Sequence, residues 1–175
     1  PAEPDWSPDG SQIVFATLDN LWAIRLDGTP ARKITSECCH YESPSFSPDG
    51  SRIAFVFSDD LNLYTDLWWM TVDGSERHRI TSGGNFNQVD WSPDGARLVA
   101  SDGDIVVLNA DGSGQTRLTA NKLDADNPAW SPDGTRIAFA SSAGGPSQIW
   151  VINADGTGLF SFNGTGADKD PSWQP

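Results

Sequence analysis

Two cysteines, two histidines and one methionine are all that this 175-residue chain carries of the soft metal-binding and redox side chains. The cysteines are adjacent, Cys38-Cys39, so no disulfide framework can tie distant segments together. A vicinal disulfide would strain the peptide between them, and Cys38-Cys39-His40 lacks the fourth ligand of a structural zinc. Both thiols are therefore expected to be free or partly oxidised and dispensable to the fold. Basic residues are scarce too: 11 Lys and Arg face 24 Asp and Glu, for a formal charge of −13. Such a surface repels a phosphate backbone, which argues against nucleic acid as a partner. No apolar run approaches the roughly 20 residues of a membrane-spanning helix, so no membrane insertion is expected. The opening Pro1-Ala2-Glu3-Pro4 has neither the basic nor the apolar lead of a signal peptide. Missing as well are Gly-x-Ser-x-Gly, His-Glu-x-x-His and Cys-x-x-Cys. The two histidines, His40 in a loop between units and His78 on an outer strand, supply too little for a hydrolase. Neither catalytic residues, nor a metal site, nor a cofactor is expected.

What the chain has in quantity is turn formers and aromatics: 17 Gly and 12 Pro beside eight Trp and eight Phe. That mixture points to an all-β protein with many short strands. The pentapeptide Trp6-Ser7-Pro8-Asp9-Gly10 returns at Phe46 to Gly50, Trp91 to Gly95 and Trp130 to Gly134, and a weaker copy closes the chain at Pro171 to Pro175. The aromatic recurs at spacings of 40, 45, 39 and 43 residues. A fixed period of this size is the mark of a repeat architecture. After each copy comes a strand-length apolar run, such as Ile53-Ala54-Phe55 or Ile137-Ala138-Phe139. A second run follows and ends in Asp27-Gly28, Asp73-Gly74, Asp111-Gly112 or Asp155-Gly156. A short third run ends in Thr35, Thr81 or Thr119; the fourth unit departs here with Leu159-Phe160-Ser161-Phe162.

Each unit thus holds four strands, and four-stranded antiparallel units at this spacing predict a β-propeller. Residues 1–175 read as one propeller domain or propeller segment. Its blades run over about 1–40, 41–85, 86–125 and 126–170, and 171–175 start a further strand. Ser-Pro-Asp-Gly is read as a turn, not a site. Proline presets the second position, Asp suits the third, Gly supplies the positive φ, and Ser can bond the turn's amides. Asn109-Ala110-Asp111-Gly112 and Asn153-Ala154-Asp155-Gly156 begin like calcium loops, yet Ala120 and Gly164 stand where the bidentate Glu would be needed. The Trp68-Trp69 pair is read as packing between blades.

Pro-x-Trp-Ser-Pro-Asp-Gly-x-x-Ile-Ala-Phe, then Ile-Trp-Val-x-x-x-Asp-Gly, resembles the repeat of the TolB-type, WD-repeat-like β-propellers; Trp130 to Asp155 is the best copy, and the likeness spans the chain. The resemblance implies a non-catalytic scaffold that binds a protein partner in the periplasm or as a secreted protein. It also leaves open a regulatory propeller of a prolyl-oligopeptidase-type serine peptidase, or a carbohydrate-processing propeller. Recognition in such folds resides in loops on a rigid scaffold, and Tyr41, Phe86, Asn87, Lys122 and Asp168 lie in the connections between units. The longer excursion of the second unit adds Leu61, Leu63 and Tyr64, apolar surface on a loop or packing on the blade. Because a first-strand sequence stands at both ends, an open or shared array with self-association through the terminal strand is expected in preference to a closed four-bladed monomer.

Overall fold

Among the described residues, sixteen strands form four antiparallel sheets of four, each sheet built from consecutive strands. The computed structural model describes residues 4–17, 19–36, 39–59, 64–120, 123–143, 145–162 and 169–173. The first sheet is β1 (Asp5–Trp6), β2 (Gln12–Thr17), β3 (Asn20–Arg25) and β4 (Arg32–Lys33); the second is β5 (His40–Phe46), β6 (Arg52–Ser58), β7 (Asp66–Thr71) and β8 (Arg77–Arg79). The third is β9 (Gln88–Trp91), β10 (Arg97–Ser101), β11 (Ile105–Asn109) and β12 (Thr116–Arg117); the fourth is β13 (Ala125–Trp130), β14 (Arg136–Ser141), β15 (Gln148–Asn153) and β16 (Phe160–Ser161). This is the four-stranded propeller blade expected from the repeat. His40, expected in a loop between units, is a strand residue. The chain divides into two compact units, Pro1–Val89 and Asp90–Pro175.

The turns explain the repeated pentapeptide atom by atom. Gly10 N donates to Ser7 O at 2.8 Å, and Gly10 sits at φ +68°, where a side chain would be strained. Ser7 Oγ donates to Asp9 Oδ1 at 2.7 Å and accepts from Gln12 N at 3.0 Å, while Asp9 Oδ1 also accepts from Ser11 N. Ser47 with Asp49, Ser92 with Asp94 and Ser131 with Asp133 repeat the serine-to-aspartate bond. Hydrogen bonds to the ionised carboxylate hold Asp9, Asp49 and Asp133 down from 3.8 to about 2, with the Ser7, Ser47 and Ser131 hydroxyls as the largest cause. The Thr71 hydroxyl and the Ser75 amide do the same for Asp73, and Asp27, Asp94, Asp111 and Asp155 are also lowered. A group titrating lower in the folded state stabilises the fold above its ordinary value and loses that contribution as pH falls through the folded value. Asp5 acts in the opposite sense, because burial raises it. With eight carboxyls lowered and one raised, Tm is expected to fall as pH drops from about 4 to about 2. Ser131→Ala, which removes the donor to Asp133, should make that fall shallower in melts across the range.

The Thr that closes three of the units is a latch. Thr119 Oγ1 accepts from Ile105 N at 2.9 Å and donates to Asp104 Oδ1 at 3.0 Å. Thr35 joins Leu21 N and Asn20 in the same way, and Thr81 joins Leu67 N and Asp66. Each latch fixes the end of the outer strand to the start of the third strand. Thr119 is 3% exposed, so Thr119→Val leaves a buried amide and carboxylate short of a partner and is expected to cost about 2 kcal/mol in urea unfolding.

Sheets pack face to face within each unit. In the first, Val14, Ala16 and Leu21 of the first sheet meet Tyr41, Phe46, Ile53, Phe55 and Met70 of the second. In the second, Val99, Ile105 and Val107 of the third sheet meet Trp130, Ile137, Phe139 and Ile152 of the fourth. A carboxylate joins each pair: Asp5 Oδ2 accepts from Phe46 N at 2.7 Å, and Asp90 Oδ2 accepts from Trp130 N at 2.9 Å. Two of the first strands, β5 and β13, bend ahead of their aromatic. Ser43 and Asn127 have φ of 49° and 52°, each precedes a proline, and the register shifts there.

Candidate functional site

Asp66, the first residue of β7, organises the rim of the second sheet. Its Oδ2 accepts from Arg79 Nη2 at 2.6 Å and from Gly83 N at 3.3 Å, and its Oδ1 accepts from Thr81 Oγ1 at 3.0 Å and Gly84 N at 3.1 Å. Four donors occupy the acceptor positions of this 5%-exposed carboxylate, which leaves it no room to serve as a general base. Its effect is to fold the loop after β8 back onto the start of β7. Gly84 is required there for space, since a Cβ would lie 2.4 Å from the ring of Phe86. Phe86 N donates to Thr65 O at 3.1 Å, and Thr65 pairs with Asn85 in an isolated parallel bridge. Two loops distant in sequence are thereby fixed side by side, with Tyr64, Asn85 and Asn87 exposed on them.

The structure brings together two of the residues expected to meet a partner, Tyr64 and Asn87, on these paired loops. Tyr64 is 50% exposed. Tyr41, expected in a connection, is a strand residue, and Phe86 lies in the connection after β8 as expected, but both are buried. Tyr41 lies in β5 at 1% exposure, its ring centroid 5.7 Å from Phe55 and 5.1 Å from Phe57, and its hydroxyl accepts from Arg77 Nη1 at 2.7 Å. Phe86 is 2% exposed and plugs the loop from beneath. An aromatic in a connecting segment buries itself when the strand starts earlier than the turn residues suggest. Leu61, Leu63, Lys122 and Asp168 lie outside the described residues, as does Cys38; Cys39 is half-buried against the first core cluster.

Sequence reasoning missed Asp66. Its signal is nevertheless present: Asn20 and Thr35, Asp66 and Thr81, and Asp104 and Thr119 are each 15 residues apart, and only the second pair is followed by Gly83-Gly84. Asp102 and Asp104 are bridged by Arg117, whose Nη2 and Nη1 stand 2.6 and 3.0 Å from the two carboxylates. Trp69 is flanked by His78, stacked at 4.2 Å, and by Arg52 at 4.3 Å, so its face is taken as packing surface. Asn109 and Asp111 are bound into their own turn through Ser113. Among the described residues no group of three or more His, Cys, Asp or Glu side chains is placed to hold a metal ion, and no helix is long and apolar enough to cross a membrane.

Four consecutive four-stranded antiparallel sheets are the blades of a β-propeller. The family model described as the TolB beta propeller domain matches residues 2–175, and the chain belongs to that family. An uncharacterized protein of Agrobacterium fabrum is 29% identical over 163 residues, which are 89% of this chain and 56% of that protein. The Tol-Pal system protein TolB of Haemophilus ducreyi is 32% identical over 99 residues, 55% of this chain and 22% of the relative. The chain thus spans about half, or less, of the length of these curated relatives. The crystal structure of TolB from Acinetobacter baumannii superposes with a TM-score of 0.79 at 22% identity, covering 92% of this chain and 43% of that one. An oligogalacturonate lyase in complex with manganese gives 0.71 at 13% identity over 90% of this chain and 51% of its own, a likeness of fold.

Proposed function

We propose that the chain is a non-catalytic propeller scaffold that binds a protein partner outside the cytoplasm, through the paired rim loops carrying Tyr64 and Asn87. The carrying observation is the Asp66 clamp, which fixes two loops in one geometry and leaves a phenol and two amides facing solvent. A rigid aromatic beside adaptable amides loses little entropy on docking and suits a protein surface. Relatives named as Tol-Pal system proteins support a protein partner and an extracytoplasmic place. The full chain, immobilised and exposed to an envelope extract, is expected to retain a partner. A Tyr64→Ala, Asn87→Ala double variant should weaken that partner's Kd by roughly tenfold or more, while Ser113→Ala, at an exposed turn of the other unit, leaves it unchanged. An unchanged Kd in the double variant would overturn the surface.

A further inference from the structure

The first two sheets and the last two meet through the same joint, which differs at one residue. In the first joint Arg32 of β4 reaches across to the hairpin after β7, where its Nη2 donates to Val72 O at 3.2 Å and its Nη1 to Asp73 O at 3.3 Å. In the second joint Thr116 of β12 stands in that position. Ala23 pairs with Arg32 as Val107 pairs with Thr116, and Ile34 N donates to Leu21 O as Leu118 N donates to Ile105 O, each at 2.8 Å. The facing hairpins match as well. Gly74 N donates to Thr71 O and Gly156 N to Asn153 O, both at 2.8 Å, so Ala154 and Asp155 take the places of Val72 and Asp73. A threonine is too short to cross this gap. Among the described residues no side chain donates to Ala154 O or Asp155 O. Both residues line a groove of about 260 Å³ together with Val107, Asn109, Thr116 and Leu118. The hairpin also stands further off here: a Cβ on Gly74 would lie 2.8 Å from Ile34 O, one on Gly156 3.6 Å from Leu118 Cδ2.

We propose that this groove binds the guanidinium of an arginine side chain presented by another polypeptide, seated on Ala154 O and Asp155 O as Arg32 is seated on Val72 O and Asp73 O. The ligand class follows from the chain's own occupant of the equivalent joint. Two carbonyl oxygens on one hairpin suit a planar fork of N–H donors, which an ammonium on a flexible stem does not reproduce. Val107 and Leu118 supply apolar wall for the methylene stem. Charge agrees: hydrogen bonds, the Thr157 hydroxyl first among them, hold the Asp155 carboxyl below its ordinary value, so it is ionised beside the groove at neutral pH. Arg97 also lines the groove, but its guanidinium lies over the Trp130 ring, 4.7 Å from the centroid. The first joint carries a cation too, with Arg25 at the place of Asn109 and Gln12 at that of Arg97, and Arg32 is seated there nonetheless. A chain with 24 Asp and Glu against 11 Lys and Arg draws such a cation from solution. The groove lies within the unit Asp90–Pro175, whereas Tyr64 and Asn87 belong to Pro1–Val89, so this site does not rest on the rim surface.

The test titrates N-acetylarginine N-methylamide into the full chain while HNCO spectra follow the backbone carbonyl carbons. Those of Ala154 and Asp155 are expected to shift and saturate with a Kd on the order of 1 mM, as suits two charge-assisted hydrogen bonds in an open groove. The equally capped lysine should bind roughly threefold more weakly or worse, and the neutral capped citrulline more weakly still. Thr116→Arg supplies the guanidinium from within the chain, and it should weaken the probe by roughly tenfold or more with Tm unchanged or raised. Arg32→Thr is the reciprocal change: it opens the first joint, and the carbonyl carbons of Val72 and Asp73 should then respond to the probe. Both substitutions replace exposed side chains, and melts together with unshifted spectra elsewhere show that the variants fold. Carbonyl shifts at Ala154 and Asp155 that do not respond in the millimolar range, equal binding of the three probes, or equal binding by the parent and Thr116→Arg would overturn the proposal. The Tyr64→Ala, Asn87→Ala variant should bind the probe as the parent does, so the groove and the rim surface stand or fail separately.

Discussion

Phe55→Ala is expected to lower stability by about 4 kcal/mol, the largest loss of any single substitution considered for this chain. Phe55 is fully buried where the first two sheets meet, with Val14, Ala16 and Leu21 on one side and Tyr41, Ile53 and Met70 around it. Truncation removes the ring's transfer energy and leaves a cavity that two hydrogen-bonded sheets cannot close without breaking their own ladders. For a chain of this size the loss corresponds to a Tm lower by roughly 10 °C. Phe55→Leu, which refills most of the volume, should recover more than half of the loss. If Phe55→Ala melted within about 2 °C of the parent, the packing of these sheets would not be what holds the first unit together.

Asp66→Ala comes next, at about 3 kcal/mol. The substitution strips a partner from Arg79, Thr81, Gly83 N and Gly84 N at once. Arg79 is 45% exposed and can turn to water, so the loss is smaller than for a fully buried ion pair. The two glycine amides and the Thr81 hydroxyl carry most of it. Hydrogen exchange should locate the effect: the amides of Gly83, Gly84 and Phe86 lose protection while those of β6 keep it. Because the loop then frays, binding through Tyr64 and Asn87 should weaken as well, although neither residue is changed. Asp66→Asn retains one acceptor oxygen and should fall between the parent and the alanine variant.

Much of the architecture was legible because its rules are local. Ser7, Pro8, Asp9 and Gly10 each satisfy a requirement of one turn, and four copies of a turn at a constant spacing locate sixteen strands. The rim was less legible because its rules are not local. Tyr41 looks like a loop residue from its neighbours in sequence, yet β5 starts at His40 and the pleat turns Tyr41 toward Phe55. Phe86 likewise follows two glycines and reads as an exposed tip, whereas Gly84 is small so that the Phe86 ring can pass over it. Asp66 escaped notice because its four partners come from a segment 13 to 18 residues further on. Asn87 was singled out by its place in a connection between units and Tyr64 by its place in the longer excursion of the second unit, and only the Thr65 to Asn85 bridge sets these two loops side by side.

The two-sidedness of the sheets bears on how such a chain can change over generations. The first sheet pairs Ile13 with Ile24 and Phe15 with Trp22 on one side and Val14 with Ala23 on the other, the fourth pairs Ile137 with Ile152 and Phe139 with Trp150 against Ala138 with Val151, and a sheet of this kind behaves like a coupling with a male and a female end. Duplicating the gene segment for one such sheet adds a part that brings both fittings with it. Point changes are constrained in the opposite way: a larger residue at Ala138 or Val99 spoils a fitting that no compensating change within the same sheet can restore. Lineages of this protein should therefore differ readily in the number of whole repeats and in their rim loops, and only rarely in the residues that alternate along β10 and β14.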